Sequence, residues 1–141
     1  MHRQFSSINK IILAAFALAG LATFAIAQKP AEEAVKFPDT AAGKTVAAFF
    51  AAFNSGNTET MKKFHQEHGG SEENAEKDKE IFERTGGLKP HSIKRSEKTE
   101  LEVLVQTKND GQWLNFTFTV GQEAPYTIQG IRAQPTSAPN E

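Results

Sequence analysis

The chain has no cysteine among its 141 residues, and only one tryptophan and one tyrosine. Without cysteine there is no disulfide framework, no thiol nucleophile and no site for lipid attachment through sulfur. A large excess of one sign of charge is missing too. Beyond residue 27 there are 14 basic against 17 acidic side chains, a net of −3, so no basic field marks the chain for nucleic acid or anionic membrane. Several catalytic signatures are also absent. There is no glycine-rich phosphate loop, no H-E-x-x-H pair and no recognisable Ser/His/Asp pattern. Ser7-Ile8-Asn9-Lys10 spells S-x-x-K, but it falls in the N-terminal segment described next, as does the one long apolar run.

Arg3 and Lys10 form a positive start, with no acid before Glu32. Ile11 to Ala27 follows without a charge and ends in Ala25-Ile26-Ala27, a small-x-small site. A basic head, an apolar stretch and such a site predict a secretory signal peptide over 1–27. The stretch is shorter than the roughly 20 apolar residues of a spanning helix. The expectation is therefore an exported protein, periplasmic or extracellular, with no membrane contact after cleavage at Gln28.

What is plentiful is phenylalanine. Eight of the eleven lie beyond the signal segment (37, 49, 50, 53, 64, 82, 116 and 118), enough to hold one small domain by burial alone. Residues 28–38 read as a flexible lead-in, 39–133 as the domain and 134–141 as a disordered tail.

Three helices are predicted first. Asp39 or Thr40 caps one whose stripe is Ala42, Val46, Phe49, Phe50 and Phe53. Asn57 caps a second carrying Met61, Phe64, His65 and His68 and stopping at Gly69-Gly70. Ser71 opens a third, acidic and largely exposed, that stops at Gly86-Gly87. From Leu88 the period changes to two. Leu101, Val103 and Val105 alternate with polar neighbours, "KNDG" makes a turn, and "WLNFTFTV" puts Leu114, Phe116, Phe118 and Val120 on one face. Only pairings whose residue numbers sum to an odd value set apolar against apolar across that turn. A last strand is predicted over Tyr126 to Arg132, with a bulge at Gly130. The fold class is α+β: three N-terminal helices packed on one face of a curved antiparallel sheet of about four strands.

The segments "AAFNSGN", "FERTGGLKP", "VLVQTKNDGQWLNFTFTV" and "PYTIQGI" together resemble the cone-shaped nuclear-transport-factor-two-like (SnoaL-like, cystatin-like) superfamily. The nearer likeness is to its exported bacterial branch, found ahead of beta-lactamase-like serine hydrolases and tail-specific proteases or alone. The resemblance implies a pocket at the open end of the cone but no single chemistry, because the fold hosts isomerases, dehydratases and inert accessory domains.

For function, the expectation is a non-catalytic binding or interaction module, serving an unknown small ligand or a separately encoded hydrolase or protease, without cofactor or metal. Phe53, Met61, His65 and His68 are the candidate pocket residues. His65 and His68, three apart on a helix, are also the candidate general bases of an alternative isomerase or lyase. A metal role would need His91 as third ligand, which the spacing does not support. The bland alternative, favoured because a motif match without structural context is weak, puts His68 at a helix C-terminus and His65 at the core edge. An Asp/His pair would strengthen catalysis, but Asp39, Asp78 and Asp110 read as a cap, an exposed helix position and a turn. Asn115-Phe116-Thr117 spells a glycosylation acceptor, improbable in mid-strand. On the polar sheet face Trp113, Asn115, Thr117 and Tyr126 are the interface candidates for a weak homodimer; the alternative is that Trp113 simply covers Leu104.

Overall fold

The computed structural model describes residues 34–140; the predicted signal segment 1–27, residues 28–33 of the expected lead-in and Glu141 lie outside the described residues. Three helices precede the sheet: α1 (Ala41–Asn54), α2 (Thr58–Glu67) and α3 (Glu72–Thr85). Each begins where a short polar side chain satisfies a free backbone N–H. Thr40 Oγ1 accepts from Gly43 N at 3.0 Å, Asn57 from Thr60 N at 3.0 Å and Ser71 from Asn74 N at 3.4 Å. Asp39 is not the cap; it pairs with Lys44 at 2.8 Å instead.

Four strands follow: β1 (Leu88–Ser96), β2 (Glu100–Thr107), β3 (Trp113–Val120) and β4 (Ile128–Pro135). They form one open antiparallel sheet of order β1-β2-β3-β4. Across the β2–β3 turn Leu101 faces Phe118, Val103 faces Phe116 and Val105 faces Leu114, the odd register that keeps these six apolar side chains together on the helical side.

The α1 stripe is buried at every predicted position. Phe49 is its hub: the rings of Phe50, Phe53, Phe64 and Phe118 stand 5.3–5.9 Å from it, mostly edge to face. This is the favoured arrangement for aromatic rings, and each fully buried Phe adds about 1.5–3 kcal/mol of transfer free energy. α3 contributes little beyond Ala75, with Ile81 and Phe82 half-buried at its edge.

Three boundaries differ from expectation. Phe37 stacks on Phe50 at 5.8 Å, so the packed body begins inside the presumed lead-in. β4 starts at Ile128 rather than Tyr126, because the Tyr126 N–H is engaged by the Glu123 carbonyl at 2.8 Å in the preceding turn. It then continues to Pro135, and the Thr136 N–H still pairs with the Trp113 carbonyl at 3.0 Å, so residues 134 and 135 belong to the sheet and not to a tail. The β4 irregularity falls beside Gly130: Thr119 faces Gly130 but Val120 faces Ile128, leaving Gln129 as the extra residue.

Candidate functional site

A cleft of about 420 Å³ opens between α3 and the start of β4. Its α3 wall is Asn74, Lys77, Asp78 and Ile81, spaced three and four apart on one helical face. Its sheet wall is Ile128 to Ile131, and its end is the segment His65, His68, Gly69 and Gly70. The cleft exists because the helical layer stops short of β4. Ile131 faces Phe118 across the ladder and so lies on the core side, yet it is 41% exposed whereas Phe118 is sealed.

The turn after α2 closes the end of this cleft by close approach. Gly69 has φ +80° and lies against Thr127, where an added Cβ would fall 2.6 Å from the threonine methyl. A Cβ on Gly70 would fall 2.3 Å from His65 Nδ1. Only residues without a side chain fit either place. The His68 carbonyl then accepts from Ile128 N at 3.2 Å, tying the turn to β4.

His65 Nε2 and Asp78 Oδ2 are 2.7 Å apart, joining α2 to α3. Both side chains are largely buried, with 10% and 17% exposure. Burial pushes the Asp78 carboxyl above the usual carboxylate range, outweighing the opposing hydrogen bond and charge of His65. Asp78 is therefore no ordinary position on an exposed helix: the face of α3 that carries it is turned toward α2 and the cleft. His68 stacks on Phe64 at 4.5 Å between ring centroids, and its Nδ1 is buried without a hydrogen-bond partner.

Two of the four expected pocket residues, His65 and His68, line the cleft. The other two do not. Phe53 is sealed between Phe49 and Phe82, and Met61 is buried at 1% exposure, because the stripes of α1 and α2 that carry them turn into the core. Asp78, Asn74, Lys77 and Ile81 were the residues missed; their spacing along α3 was the available signal.

On the opposite sheet face, Asn115 Nδ2 donates to Glu102 Oε1, and Arg95 contacts Glu97, Glu100 and Glu102. Trp113 meets the edge of His91 at 5.1 Å, which places His91 in that contact and not beside the other histidines. Leu104 is buried on this face. Thr117 stands between Glu102 and Arg132 in the ladder. Tyr126 does not join them. It precedes β4 at the far end of the strand pair and packs against the core near α1, where its carbonyl lies 3.5 Å from Thr45 Oγ1. The interface candidates thus reduce to Trp113, Asn115 and Thr117.

Among the described residues no three His, Asp or Glu side chains converge as metal ligands, and no helix is long and apolar enough to cross a membrane. Compared with known proteins, the chain matches no protein-family model, no curated protein and no solved structure.

Proposed function

We propose that this chain is an exported, non-catalytic binding module of the cone-shaped type its segments resemble, and that the cleft between α3 and β4 is its binding site. The observation that carries the reading is the uncovered core side of β4. Apolar surface at Ile128 and Ile131 is left open beside a polar wall of Asn74, Lys77 and Asp78. Such a mixture of apolar floor and a few convergent polar groups is what ligand sites are made of. The partner this suits is a separately encoded exported hydrolase or protease, and a weak two-fold dimer through the Trp113 face is compatible with it.

Titration of the labelled protein with a library of small apolar and polar fragments tests the reading. Amide shifts should cluster at residues 68–81 and 128–131, and Ile81→Asp should abolish them. Shifts confined to other surfaces would overturn it.

The Asp78–His65 pair favours a second reading, a small isomerase or lyase. In that reading the proton-transfer group is Asp78 rather than a histidine. His65 Nε2 is engaged by Asp78 and its Nδ1 is covered by Gly70, whereas the Asp78 carboxyl has a raised pKa and lines the cleft. Deuterium incorporation from solvent into a panel of small ketones, lost in Asp78→Asn, is the result that would displace the binding reading. No incorporation above the buffer rate would remove the enzyme.

A further inference from the structure

The sheet has two outer edges, built differently. β1 is broken by two register shifts and carries Pro90, features that keep a further strand from pairing. β4 has one shift, at its start, and pairs regularly from Gly130 to Pro135.

Because Thr136 donates to the Trp113 carbonyl, the alternation of an antiparallel ladder turns the polar groups of Gln134, Arg132 and Gly130 toward β3. The N–H and C=O of Ile131 and Ala133 then point outward. Pro135 comes next in that outward row and has no N–H, which ends it. At the other end the Ile128 N–H is taken by the His68 carbonyl. A short pairing edge is left between two stops, and it runs along the mouth of the cleft.

The side chains beside this edge specify what fits. Ile131 projects on the core side and borders the cleft. Arg132 projects on the other side, opposite Thr117, exposed and with no acidic partner among the described residues. We infer that β4 accepts a further strand, an extended peptide of alternating apolar and acidic residues. Its backbone pairs with Ile131 and Ala133, its apolar side chains enter the cleft beside Ile131, and an acidic side chain meets Arg132. Main-chain bonds supply affinity and the alternate side chains supply selectivity. This inference rests on the cleft being a binding site. A second copy of β4 is the poorer occupant: Ile128 to Pro135 contains no acidic residue, so self-pairing brings two Arg132 side chains together with nothing of opposite charge.

The test uses a fluorescein-labelled, end-blocked peptide Thr-Val-Glu-Val-Glu-Val-Thr and the same peptide with Lys for Glu. The acidic peptide should bind about tenfold more tightly, and Arg132→Glu should reverse the preference. Binding should slow amide exchange at Ile131 and Ala133. Ala133→Pro removes an outward N–H and no bond to β3, and an edge strand tolerates the fixed φ, so it should abolish binding while leaving the melting temperature nearly unchanged. Binding that survives Ala133→Pro overturns the added strand, as does no binding at about 1 mM peptide. In either case, fragments that still shift the cleft amides show that the strand has failed and the cleft has not. Protection of Ile131 and Ala133 that grows with protein concentration in the absence of peptide would make a second copy the occupant, and would also overturn the proposal.

Discussion

Asn54 pairs with Leu88 as a neighbouring strand would. Its Nδ2 donates to the Leu88 carbonyl at 2.7 Å, and its Oδ1 accepts from the Leu88 N–H at 2.8 Å. One amide side chain at the end of α1 thereby satisfies both backbone groups of the first residue of the sheet, which is itself buried. Asn54→Ala leaves both without a partner. It should lower stability by about 2 kcal/mol in urea unfolding, within the usual range for unpaired buried groups; a loss below about 0.5 kcal/mol would mean that water replaces the amide.

Truncating the aromatic cluster should be costlier. Phe118→Ala and Phe50→Ala each empty a sealed site and should lose about 3–5 kcal/mol by the same measurement. Glu76→Ala, on the exposed side of α3, should change stability by less than about 0.5 kcal/mol.

Asp78 makes stability depend on pH in a direction opposite to most carboxylates. Folding raises its pKa. Its contribution is thus favourable below the unfolded carboxylate pKa and is lost as pH rises through the higher folded value. The ionised form of the side chain opposes folding. Asp78→Asn should melt at or above wild type at pH 7, and its advantage should vanish as pH falls through the carboxylate range toward about 3. A variant that melts lower at pH 7 would show that the His65 contact outweighs burial.

Gly70→Ala should push the His65 ring off Asp78, since the added carbon would stand 2.8 Å from His65 Cβ as well as against Nδ1. Overpacking of this kind costs about 1–3 kcal/mol. The ring nitrogen shifts of His65 report the displacement directly, and unchanged shifts would refute it.

The weak dimer proposed for the polar sheet face is read by sedimentation. Trp113→Ala should move the protein toward monomer without changing its melting curve. A wild type that is monomeric at every concentration would leave Trp113 as a partner of His91 alone.

The helices, strands and central register were legible because each is a repeating local pattern: the α1 stripe, the alternation of β3 and the caps Asn57 and Ser71 follow from neighbours in sequence. The cleft was not. Asp78 sits among Glu76, Lys77, Lys79 and Glu80, so local composition reads as a solvated helix, and only the packing of α3 on α2 sets it against His65. Tyr126 was misplaced for a related reason. Alternation within β4 does not reveal that the preceding turn consumes its N–H. Phe53 and Met61 have the right character for a pocket lining, but the sequence does not say where the helical layer ends.

The strand order β1-β2-β3-β4 also bears on how the chain finds its fold. Every ladder joins strands adjacent in sequence, so the sheet assembles by closing short loops in turn. The contacts of α1 with β2 and β3 are among those that span much of the sequence, and closing such a separation is the entropically slow part. Docking of Phe49 onto Phe118 should therefore govern the folding rate. Changes in β4, added last at an edge, should appear in how quickly the domain comes apart.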